Sequence, residues 1–116
     1  MNYTVNDEYN CTVIELKGNV MGGPDAKKFR NTLKELIDEG KTNVIVDLGK
    51  VKFMNSSGLG ILIGGLTTMR NADGDLRICN AMERIESMLM VSQLNRVFEL
   101  HSTLEEAIES FSEDEA

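Results

Sequence analysis

Tryptophan is absent from this 116-residue chain, and the aromatics that remain are four Phe and two Tyr. The core must therefore be aliphatic, built from Val, Ile, Leu and Met. Histidine occurs once, as His101, directly before Ser102. No Ser-His-Asp arrangement accompanies it, so a surface or capping role suits it better than catalysis. The two cysteines, Cys11 and Cys79, have no CxxC neighbour and no nearby His. That excludes the usual metal and redox motifs and suits reduced core thiols. No cofactor or metal is expected. No GxxxxGK[ST] or GxGxxG pattern occurs, which disfavours nucleotide binding.

Positive charge is also scarce. Twelve Lys and Arg face nineteen Asp and Glu, a net charge of −7. Without clustered cations, nucleic acid and anionic membrane are poor partners. The carboxylates are scattered over helix faces, where they aid solubility, so the chain is not expected to be an enzyme. No run of about eighteen apolar residues exists, and direct membrane insertion is not expected. The longest apolar stretch, Leu59 to Leu66, is interrupted by three glycines. No basic flank precedes an apolar run near the N-terminus, so a cytoplasmic location is expected.

What is present fits one domain over residues 1–112, with an acidic, frayed end at 113–116. Residues 2–8 and 11–17 read as strands around a turn at Glu8-Tyr9-Asn10. Residues 18–23 read as a loop. Pro24 opens a helix at the position where its missing N–H matters least, and Gly40 closes it. Val44 to Leu48 is a β-branched run suited to a strand covered on both faces. A helix is predicted over 57–70, a strand over 76–79 and a helix over 82–91. A strand over 97–100 and a last helix follow, the helix opened by a capping box from Ser102 to Glu105. The order ββαβαβαβα predicts an α/β fold with a mixed sheet of four or five strands and about four helices.

The most informative stretch is Phe53-Met54-Asn55-Ser56-Ser57-Gly58-Leu59-Gly60. A polar turn opens a helix, and Asn55 or Ser56 could do no more than cap it. The glycines argue for more, since each costs about 1 kcal/mol relative to Ala inside a helix. Leu59, Leu62, Ile63 and Leu66 form the expected inward stripe. Gly58, Ile61, Gly65 and Thr68, with Gly64 beside them, then fall on another face of little bulk. That face suits either tight internal packing or close approach by another protein. Met82, Met88, Leu89, Met90 and Val91 suit a core stripe or an adaptable interface.

The stretch Phe53 to Gly60 resembles the signature of STAS domains, and specifically of bacterial anti-sigma factor antagonists. The likeness extends to Leu16-Lys17-Gly18, Val44 to Leu48, Gly74-Asp75-Leu76 and Val97-Phe98. It implies a STAS-like fold and a regulator of transcription that acts through protein contacts. The implied partner is an anti-sigma factor that is also a serine kinase, bound in the unphosphorylated state. Phosphorylation at Ser56, or less readily at Ser57, would release it, and a PP2C-type phosphatase would reverse the switch. Asn55, Ser56, Ser57, Gly58, Ile61, Gly64 and Gly65 would form the partner-binding surface. The family usually carries Asp where this chain has Asn55. The alternative is an unphosphorylated STAS scaffold that pairs with itself as a homodimer or acts in a larger signalling or membrane-transport complex.

Overall fold

The structure is a computed structural model that describes residues 1–115, with side chains through 112. Five strands and four α-helices follow in the expected order. They are β1 (Asn2–Asp7), β2 (Thr12–Val20), α1 (Pro24–Asp38), β3 (Asn43–Met54), α2 (Ser56–Asn71), β4 (Asp75–Cys79), α3 (Glu83–Val91), β5 (Leu100–His101) and α4 (Leu104–Glu115). The strands lie side by side in sequence order, with β1 antiparallel to β2 and every other pair parallel.

Strand alternation sorts the side chains onto two faces. Ile14, Leu16, Val44, Val46, Leu48, Leu76 and Ile78 face the larger core, against Phe29 and Leu33 of α1, Leu62 and Leu66 of α2, and Ile85 and Leu89 of α3. The other face packs Val13, Ile45 and Cys79 against Ala107 and Phe111 of α4. Both cysteines are free and buried on this second face. Burial, helped by nearby carboxylates, pushes the Cys11 thiol up to about 11 and the Cys79 thiol up to about 12. Neither is activated as a nucleophile.

Several boundaries differ from the sequence expectation. β2 runs through Val20, so residues 18–20 are strand and not loop. β3 runs six residues past Leu48, through Met54. The two extensions pair with each other, across register shifts at Glu15/Lys17 and Gly18/Asn19. β4 pairs only with Asn43 to Asp47, so the end of β3 leaves the sheet as a two-stranded ribbon.

The fifth strand is Leu100–His101, later than the expected 97–100. A 3₁₀ turn at Leu94–Arg96 occupies the approach, and the Arg70 guanidinium donates to the Val97 carbonyl at 3.0 Å. Met82 caps α3 and is exposed, so it is not part of the inward stripe, and Met90 and Val91 are exposed as well. The cap of α4 is Thr103, whose hydroxyl accepts from the Glu106 N–H at 3.1 Å; Ser102 lies one residue outside. α4 continues through Glu115. The side chains of 113–115 and residue 116, where a frayed acidic end is expected, lie outside the described side chains and residues.

Candidate functional site

The β2–β3 ribbon delivers the chain to Asn55 beyond the carboxyl ends of the parallel strands. In α/β sheets that is where sites are built. The Asn55 backbone is extended, and its Oδ1 accepts the Gly58 N–H at 2.8 Å. Its own N–H reaches the Val20 carbonyl at 3.4 Å. Asn55 is therefore the helix cap, and Ser56 and Ser57 are the first two helical residues. Ser56 does not cap.

Both serines are exposed, and neither hydroxyl has a hydrogen-bond partner among the described residues. They differ in their surroundings. A Cβ placed at Gly22 would lie 2.7 Å from the Ser57 Cβ, so the β2–α1 loop rests against Ser57. That approach and its φ of 91° reserve position 22 for glycine. Ser56 is exposed and is not among the atoms nearest Gly22. The first turn of α2 holds no acidic residue, and its free N–H groups with the helix dipole favour negative charge there.

The helix behind the serines corrects one expectation. Gly58, Ile61 and Gly65, expected on the contact surface, are buried, so for them internal packing holds of the two roles the spacing left open. α2 is covered twice, by the sheet and by α1, so its inward arc is wider than one apolar stripe. Ile61 is 6% exposed and Ile63 is 38% exposed; the two exchange their expected places.

A Cβ at Gly58 would run into the Val20 carbonyl oxygen and stand 3.1 Å from Met54 Cγ. One at Gly65 would come within 3.0–3.2 Å of Leu76, Phe29 and Leu33. A Cβ at Gly60 or Gly64 would meet nothing within 4 Å. The open surface is thus Ser56, Gly60, Ile63, Gly64 and Thr67, continuous with Ser57. Gly60 and Ile63 lie on this open surface and were not among the expected contact residues. The burial of Leu59, Leu62 and Leu66 together with Ile61 and Gly65 marks the wide arc that leaves them outside.

Beside this surface, a groove of about 160 Å³ runs between α1 and α2, floored by Phe29, Leu33 and Ile61. Gly60, Gly64 and Ser57 line it. A larger hollow of about 370 Å³ lies between the β1–β2 turn and the start of β3. It is polar, and its Lys41 already pairs with Asp7 at 2.9 Å, so it is a weaker candidate than the serine turn. His101 sits on edge strand β5 with its Nε2 2.9 Å from Glu99. Among the described residues no group could hold a metal ion, and no helix is long and apolar enough to cross a membrane.

The family model of the STAS domain matches residues 2–107. A candidate anti-sigma factor antagonist of Bordetella bronchiseptica, BtrV, is 22% identical over 105 residues, covering 90% of each chain. The crystal structure of a candidate anti-sigma factor antagonist from Thermotoga maritima superposes with a TM-score of 0.85 at 18% identity, covering 95% of this chain and 94% of that one. The Bacillus cell fate determinant SpoIIAA in its phosphorylated form superposes with a TM-score of 0.72 at 22% identity, over 94% of this chain and 98% of that one.

Proposed function

The chain belongs to the STAS domain family, and from that membership we propose that it is an anti-sigma factor antagonist switched by phosphorylation at Ser56. In the unphosphorylated state it binds an anti-sigma factor that is also a serine kinase. The contact surface is the serine turn and the open side of α2, and a PP2C-type phosphatase restores binding.

The observation that carries this reading is the pair of open glycines. Gly60 and Gly64 weaken α2 by about 1 kcal/mol each, and no atom of the fold requires them. Their bareness lets another backbone come close to the helix. Asn55, Gly58, Ile61 and Gly65 then serve that surface from behind. They fix the turn, set the depth of the helix and floor the groove.

The switch follows from position. In the kinase step the γ-phosphoryl group of ATP passes to Ser56 Oγ, the hydroxyl proton leaves, and ADP is released. The product carries about −1.5 to −2 charges and three acceptor oxygens. The domain tolerates them, because the start of α2 offers free N–H groups and the positive end of the dipole. A partner packed on the glycine face must instead desolvate the charge. A loss of about 4 kcal/mol is roughly a thousandfold in affinity. The approach of the Gly22 loop to Ser57, with exposed Ser56 not among the atoms nearest that glycine, supports Ser56 as acceptor.

Affinity capture with wild type and Ser56→Asp, each paired with intact-mass analysis after kinase and ATP treatment, tests the reading. A kinase-type partner held by wild type and lost with the aspartate is expected, along with one added phosphate on wild type only. Equal capture by both proteins, with no phosphate gained, would replace the switch with an unphosphorylated scaffold.

A further inference from the structure

The two edges of the sheet are finished differently. β5 is two residues long, too short to template another strand. β1 is six residues long and ends the sheet order, with β2 its only strand neighbour. Its ladder is unbroken from Asn2↔Lys17 to Asp7↔Thr12. Along Asn2 to Asn6 it carries no charged residue, Pro or bulge, and its one charge, Asp7, stands at the end of the strand. Its outer row of N–H and C=O groups is open to an extended partner.

The side chains along this edge complement themselves. Tyr3, Val5 and Asp7 share the helix-covered face, opposite Leu16, Ile14 and Thr12 of β2. Val5 is 41% exposed there. Directly opposed residues of antiparallel strands share a face. A two-fold axis through Val5 therefore sets it against the partner's Val5, and sets Tyr3 against the partner's Asp7. Lys28 of α1 holds its Nζ 5.1 Å from the centre of the Tyr3 ring. Each Asp7 carboxylate, still 59% exposed while its own Lys41 holds one oxygen at 2.9 Å, then arrives beside Lys28 of the other chain as a second cation, and symmetry makes the contact twice.

We propose that β1 pairs antiparallel with β1 of a second copy of this chain, joining two five-stranded sheets into one across a two-fold axis. The contact uses no residue of the serine turn or the open face of α2, so each dimer presents two docking surfaces. A strand edge of this length buries less than the roughly 1,200 Å² of standard interfaces, which places the dimer among weak, exchanging contacts, to be sought from about 10 µM to 1 mM.

Sedimentation equilibrium across that range tests the proposal, with hydrogen exchange read in parallel on the wild-type chain. The mass should climb from the 12.9 kDa of one chain toward twice that value. Val5→Lys, a change at an exposed edge position, should hold the single-chain mass at the same concentrations. The β1 amides of wild type should gain protection as concentration rises, while those of β5 do not change. A single-chain mass up to about 1 mM, an undiminished Val5→Lys dimer, or β1 protection that ignores concentration would each overturn the proposal.

Discussion

Gly58 and Gly65 share one helix with Gly60 and Gly64, yet the two pairs answer to different neighbours. The first pair is set from inside. A Cβ at 58 meets the Val20 carbonyl, and one at 65 meets Leu76, Phe29 and Leu33. The second pair faces open space. Glycine content alone therefore says nothing about function in α2. Only after the internal requirement is subtracted does a surplus remain, and that surplus lies in line with the exposed serines.

Substitution separates the pairs. Gly58→Ala should destabilise the fold by about 3 kcal/mol, because neither a backbone carbonyl nor the helix start can give way cheaply. Denaturant titration measures this, and a loss below about 1 kcal/mol would dissolve the distinction. Gly60→Ala and Gly64→Ala should do the reverse, each adding about 1 kcal/mol and raising Tm by about 4 °C. Under the proposed function, the same two variants should weaken partner capture while the fold improves, a trade seen where sites retain destabilising residues. Stabilised variants that bind as well as wild type would leave the open glycines without a role. Asn55→Asp is the mildest change. It keeps the cap and adds a negative charge to a helix start that has none, worth about 0.5 kcal/mol. A thermal scan at low salt should show a small rise that fades as salt is added.

Much of this was legible beforehand. The period of the apolar residues located the four α-helices, and the β-branched run at 44–48 located the central strand. The family resemblance, resting on residues 53–60, agrees with the matched family. Most of the failures share a cause, a neighbour distant in sequence; the cap of α4 is the local exception. Residues 49–54 fall outside the expected strand at 44–48 because their ladder partner is the end of β2. Ile61 and Ile63 traded places because a single stripe was assumed for a helix packed on two sides. Ser102 and Thr103 compete for one cap, and only the Glu106 N–H, at 3.1 Å, decides between them. The fifth strand was displaced by a 3₁₀ turn and by the bond from Arg70 to the Val97 carbonyl.

The contact between Gly58 and the Val20 carbonyl also has a consequence for descent. It binds position 58 in every copy that folds this way, whatever the domain has come to serve. Positions 60 and 64 are bound only while a partner exerts selection on them. In a lineage that has lost that partner, Gly58 should persist while Gly60 and Gly64 drift toward alanine and other helix formers. The helix would then grow sturdier as the record of its former work is erased.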